Sequence, residues 1–338
     1  MLDLNHIFLF IAIVSPLAVL ARAWRPGGTY RSWRIASIIV LGVTGLAWLL
    51  FRDVAGFIGG GAWFALLFLP AVGLRRVASL AAQQRYASAR KLASLLLILH
   101  PSEELRRQTR LLGRLESGES LGFLTMPQPT PMQDRHRRLW SAPAVVTFIF
   151  LNIAAFLFEI SHGDWTEPVT LHRLGALEPY FVIVYHEYWR LITALFLHGS
   201  TVHLLFNLFA LYVLGPPLER AIGAIRFSAC YLISGIGSSA GVVALAFLGL
   251  TQATQLVGAS GSIMGIVGAW AGFLLLHRHA PRAKQRLQNV LMIVVIQVAF
   301  DLSTPQVSMA AHLCGLITGF VVGVTIAPRK MSIDETSP

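Results

Sequence analysis

Apolar runs about as long as a bilayer is thick recur along this chain, and they restrict its fold more than any other feature. A helix needs about 20 mostly apolar residues to cross hydrocarbon. Runs of that kind lie near residues 7–23, 35–51 and 54–74 and, after a polar gap, near 143–160, 203–219, 226–249, 259–276, 288–302 and 308–327, each bounded by charge, Gly or Pro. The pattern predicts an all-α polytopic membrane protein of about nine spans, with three in an N-terminal group and six in a C-terminal group. The charge content agrees, since only 13% of the 338 residues are charged against roughly 25% in soluble domains.

The net charge of +11 would suggest nucleic acid as a partner in a soluble protein, but its placement excludes that class. The basic residues sit between the apolar runs, where they set orientation and meet anionic headgroups of the lipid bilayer. Arg22, Arg25, Arg31 and Arg34 follow the first run, and Arg75 and Arg76 follow the third. Arg85, Arg90, Lys91, Arg106, Arg107, Arg110, Arg114, Arg135, Arg137 and Arg138 crowd the polar gap. Further basic groups lie at Arg220 and Arg226, at Arg278, Arg282, Lys284 and Arg286, and at Arg329 and Lys330. The positive-inside rule then places the N-terminus outside and both ends of the six-helix group inside.

The expected organisation is an N-terminal transmembrane region over 1–74, a basic cytoplasmic linker over 75–140, a six-helix domain over 141–328 and a cytoplasmic tail over 329–338. Within the linker, Arg75 to His100 reads either as an amphipathic helix on the inner leaflet or as a solvated helix. The Pro127–Pro131 run reads as an extended hinge. Met1 to His6 lack the charge and cleavage site of a secretory signal, so the first run is read as retained. Cys230 and Cys314 both fall inside apolar runs, which argues against a disulfide framework. His6, His100 and His136 read as surface or interfacial residues.

Polar side chains inside a span are costly and therefore mark function or buried hydrogen bonding. His198 precedes His203 and Asn207, and the four-residue interval between the latter two puts them on one helix face. Gly258-Ala259-Ser260-Gly261 precedes an apolar helix read over Ser262 to Leu276, so Ser260 lies near a helix N-terminus, where unpaired N–H groups and the helix dipole favour negative charge. His312 lies in the last span above Gly315, Gly319 and Gly323, a small-residue stripe matched by Gly261, Gly265, Gly268 and Gly272 after Ser260. Such stripes let two helices approach closely enough for His312 to reach Ser260. Together these groups offer a nucleophile, a base and spare donors for acyl transfer. No intramembrane carboxylate is expected near either residue, so a Ser-His dyad is expected in place of a three-part Ser-His-Asp arrangement.

His198…His203…Asn207, Gly258-Ala-Ser260-Gly261 and Ala311-His312…Gly315…Gly319, in that order, resemble the rhomboid intramembrane serine proteases over about residues 140–327. The resemblance implies a six-helix rhomboid-like bundle preceded by about three extra N-terminal transmembrane helices. It implies Ser260 as nucleophile, His312 as base, and His203 with Asn207 at the oxyanion, with Gly258 and His198 beside them. Trp189-Arg190 and Gly215…Glu219…Gly223 also resemble the family, where they are structural. One position departs: rhomboids commonly place an aromatic one turn after the serine, and Met264 stands there in this chain.

Three other readings compete. A catalytically inactive rhomboid-like protein that binds membrane helices would be marked by loss of Ser or His, and both are present. A transporter would need paired intramembrane acids or an inverted repeat. A metalloprotease would need His-Glu-x-x-His, which is absent, and no cofactor or metal is called for. The expected partners are single-span or other membrane protein substrates. Small or helix-breaking residues near the cut should favour cleavage, because a helix hides its carbonyls in hydrogen bonds. The expected location is a bacterial inner membrane, with the site open to the outer side.

Overall fold

A computed structural model describes residues 4–23, 31–117, 142–164, 166–252, 254–281, 283–304 and 308–326. The Pro127–Pro131 hinge, His136 and the 329–338 tail lie outside these. The chain divides between Asp134 and Arg135 into two compact units. The described residues are helical apart from turns and one isolated bridge between Leu177 and Leu256.

In the first unit, α1 (Leu4–Ala23) and α2 (Arg31–Leu50) pack on a 31-residue helix, Arg52–Ala82. That helix comprises a short 3-10 turn, α3 (Ala55–Trp63), a π segment (Phe64–Phe68) and α4 (Leu69–Ala82). At ~1.5 Å per residue it is longer than the hydrocarbon core is thick, and Arg75 and Arg76 lie in its C-terminal third. Ala12, Ala36, Val40 and Leu67 form the buried seam. Asn5 Oδ1 accepts from the N–H groups of Gly56 and Phe57 at 2.8 and 3.2 Å, satisfying backbone donors at the start of α3.

The stretch from Arg75 to His100 is not one helix. The chain reverses at Gln84, with φ 59°, and continues as α5 (Tyr86–Leu99) and α6 (Glu103–Glu116). Val77 and Leu80 bury against Ala89, Ala93 and Leu96 of α5 and against Leu105 and Leu112 of α6, and that shared core explains the break. His100 is buried at 3% exposure, its ring centroid 4.4 Å from that of Trp33, so its reading as an interfacial residue is corrected.

The second unit begins with α7 (Pro143–Ser161), followed by the short helices α8 (Pro168–Leu174), α9 (Pro179–Val184) and α10 (Arg190–Thr193) of a long connection. Then come α11 (Thr201–Ile222), α12 (Ala224–Phe247), α13 (Ser260–Leu276), α14 (Ala283–Ser303) and α15 (Met309–Ile326). Eight helices in the described residues are long and apolar enough to span a bilayer; α13, at 17 residues, is shorter. Phe150 and Leu157 of α7, Phe209 of α11, Leu291 and Val295 of α14, and Ile317 and Val321 of α15 are exposed, while Glu159, Asn207, Glu219, Asp301 and His312 are buried. Apolar outside and polar inside is the arrangement a lipid solvent selects. The chain is thus an integral, multi-pass membrane protein.

Two motif residues have structural work. Glu219 accepts from the N–H groups of Ala144 and Val145 at 2.9 and 2.8 Å, serving the start of α7, whose N-cap position is Ala142 and has no acceptor of its own. Arg190, 3% exposed, donates to the carbonyls of His172 and Ala176 at 2.8 and 2.9 Å and so ties the long connection together.

Candidate active site

The segment leading into α13 is clamped before the helix begins. Leu177 and Leu256 exchange both backbone hydrogen bonds, at 2.9 and 2.8 Å, and the Gly258 N–H donates to the Ala194 carbonyl at 2.8 Å. Gly258 has φ +125°, which disfavours any side chain. A Cβ there would lie 2.6 and 2.7 Å from Cε1 and Nε2 of His203 and 3.6 Å from Nδ2 of Asn207. The side chains of His203 and Asn207 therefore reach the backbone just ahead of Ser260. Because its N–H is held by Ala194, Gly258 shapes the site without donating into it. Ser260 is half-buried and is the first residue of α13, so its own N–H has no intrahelical acceptor.

His203 and Asn207 are set by the start of α11, where Ser200 accepts from the His203 N–H at 3.1 Å. Asn207 Nδ2 is buried and has no hydrogen-bond partner. Such a donor costs about 1–3 kcal/mol to keep, and a native protein retains few of them. His198 behaves differently. Its Nδ1 lies 3.0 Å from the Phe196 carbonyl, which can only accept, so Nδ1 carries the proton and the unpartnered Nε2 is a lone pair. Burial first, and the neighbouring His203 second, push its pKa down to about 3, which keeps the ring neutral. Grouped with the oxyanion residues in the sequence, His198 offers an acceptor rather than a donor. Its ring stands edge-on to His203 with centroids 5.3 Å apart.

The backbone N–H of His198 donates to both oxygens of Glu159, at 2.9 and 3.0 Å. This tie between α7 and the loop before α11 went unread in the sequence. A carboxylate inside the 143–160 apolar run was the available signal.

The start of α15, which bears His312, meets the start of α13, which bears Ser260, through backbone contact. A Cβ on Gly315 would sit 2.2 Å from the Gly261 carbonyl oxygen, and one on Gly319 would sit 2.0 Å from that of Gly265. The two small-residue stripes therefore meet face to face, as the sequence predicts. With Gly261 against Gly315, the neighbouring Ser260 and His312 stand at the same end of the seam. Ser238 of α12 fixes this end by donating to the Ala311 carbonyl at 2.6 Å.

The expectation that no carboxylate lies near these residues is corrected. Asp301 Oδ2 and Oδ1 lie 2.8 and 3.0 Å from His312 Nδ1, and Gln297 Nε2 donates to Asp301 Oδ1 at 2.8 Å. The Asp301 side chain is 1% exposed and that of His312 6%. The two are eleven residues apart, Asp301 near the end of α14 and His312 in the first turn of α15. Met264 is buried in an apolar cluster with Val290, Ile293 and Val294 of α14 and Leu316 of α15.

A family model of the rhomboid domain matches residues 185–329. A putative rhomboid protease, YdcA, of Bacillus subtilis is 32% identical over 191 residues, spanning 55% of this chain and 90% of its own. The chain belongs to the rhomboid family. RHOMBOID-like protein 6, mitochondrial, of Arabidopsis thaliana is 39% identical over 164 residues, spanning 48% of this chain and 52% of that protein. Rhomboid protease AarA of Providencia stuartii is 29% identical over 233 residues, 61% of this chain and 82% of AarA. The chain thus spans about half the length of the Arabidopsis relative and most of the two bacterial ones.

Proposed function

We propose that this rhomboid chain is an intramembrane serine endopeptidase, with Ser260 as nucleophile and His312 as general base. The observation that carries the reading is the glycine-to-carbonyl seam between α13 and α15, which brings the helix start bearing Ser260 against the turn bearing His312. Ser260 Oγ attacks the scissile carbonyl carbon while its proton passes to His312 Nε2. The new C–O bond leaves the charge on the carbonyl oxygen. Asn207 Nδ2, His203 and the Ser260 N–H are the donors for that oxyanion. Return of the proton from His312 to the amine breaks the C–N bond, and water then releases the acyl group by the same route.

His198, neutral and with a free lone pair, acts on the orientation of His203 rather than on the oxyanion. The bacterial relatives named as proteases and the basic inner loops support a bacterial inner-membrane location with the site open to the outer side. The 17-residue α13 follows the 24-residue α12. With their inner ends level, Ser260 would start ~10 Å below the outer end of α12, so substrates would be cut in the outer part of a span. Small or helix-breaking residues there should favour cleavage.

The test is cleavage of a panel of tagged single-span proteins in liposomes by wild type, Ser260→Ala and His312→Ala, with and without chelator. Loss in both variants and indifference to chelator are expected. Wild type that cuts no substrate, or Ser260→Ala that cuts as well as wild type, overturns the protease reading in favour of helix binding without catalysis.

A further inference from the structure

We propose that Asp301, braced by Gln297, is a positioning residue that fixes the tautomer and orientation of His312, so that the site is a three-part arrangement. The inference rests on the protease reading for its kinetic consequences, although its structural claim stands apart from them. A carboxylate has no proton to give when ionised, so it can only accept. With both Asp301 oxygens within 3.0 Å of His312 Nδ1, that nitrogen is the donor, and the neutral ring must carry its lone pair on Nε2. Nε2 is the nitrogen that a general base needs free.

Gln297 reaches the same carboxylate from one turn earlier on α14, donating to Oδ1 at 2.8 Å. Its 3.2 Å approach to His312 Nδ1 brings two donors side by side and follows from their sharing one acceptor. Asp301 thus receives hydrogen bonds from both neighbours, which a buried carboxylate requires. Without it, the His312 ring could rotate or shift its proton to Nε2, and either change removes the base. The carboxylate also stabilises the imidazolium that forms once the serine proton has moved.

The first measurement needs no variant. In 15N-imidazole-labelled protein in micelles, the His312 signal, assigned by its loss in His312→Ala, should report Nδ1 protonated and Nε2 bare. A predominantly Nε2-protonated ring overturns the proposal whether or not the protein cleaves anything. The second measurement is kinetic. Asp301→Asn and Gln297→Leu should both melt within a few degrees of wild type. Asp301→Asn should lower kcat by ~100-fold or more with KM little changed, and Gln297→Leu should lower it by roughly 10-fold.

In the His312→Ala background, Asp301→Asn should cause no further loss, since a residue acting through another is non-additive with it. Wild-type kcat in folded Asp301→Asn, or a further loss of the same size in the His312→Ala background, rejects the positioning role while leaving the protease reading intact. Failure of the protease reading itself would show instead as His312→Ala cutting like wild type.

Discussion

At the scale of single residues, Asn207 is where stability and chemistry are most clearly in tension. Its Nδ2 is buried and bonds to nothing, although the Gly258 backbone beside it was built tight enough to exclude a Cβ. A side chain that only stabilised the fold would be expected to have found an acceptor. Truncation should therefore separate two effects that usually travel together. Asn207→Ala is expected to reduce kcat by ~100-fold or more, the scale of losing one oxyanion donor. Its melting temperature should be equal to or above that of wild type, because an unsatisfied donor has been removed. Parallel melting and cleavage measurements on the same preparation check this, and a large drop in melting temperature would show that the amide is structural.

At the scale of elements, the α13–α15 seam is held by the absence of side chains. A Cβ on Gly319 would lie 2.0, 2.4 and 2.5 Å from the O, Cα and C atoms of Gly265, all backbone atoms that cannot swing aside. Gly319→Ala should therefore force the helices apart at a cost of about 1–3 kcal/mol or more and abolish cleavage, because Ser260 and His312 separate together. Gly42→Ala in α2 has nothing within 4 Å of the new methyl and is the control; thermal melts of both variants decide the matter. This seam was legible in the sequence, because glycines at helical spacing in two apolar runs have one physical use. The contact between Asp301 and His312 was not. It depends on how the end of α14 meets the start of α15, which no local spacing states; a carboxylate inside the 288–302 apolar run was the available signal. The break at Gln84 had a signal that went unread: at ~100° per residue a continuous helix would put Val77 and Leu80 on the side opposite Ala89, Ala93 and Leu96, and only a reversal brings all five into one core.

At the scale of the whole molecule, the two units have separate cores. The first has its own buried seams, and the residues that carry the proposed chemistry, together with Glu159, Glu219 and Arg190, all belong to the second. YdcA points the same way, since 55% of this chain accounts for 90% of its length and leaves it little room for a counterpart of the first unit. The first unit carries an odd number of predicted spans, so its removal also removes a reversal of direction. The second unit must then orient itself through its own charges, and Arg135, Arg137 and Arg138 before α7 supply the positive-inside signal. A chain beginning at residue 135 behind an initiating Met should thus insert with its N-terminus inside and melt cooperatively. It should cleave a single-span substrate within about an order of magnitude of the full chain, a loss of less than ~1.4 kcal/mol in transition-state terms. Protease protection of an N-terminal tag checks the orientation, and the liposome assay checks the rate. A truncated protein that inserts correctly and melts normally but leaves intact the substrates cut by the full chain would give the first unit a role in capturing them.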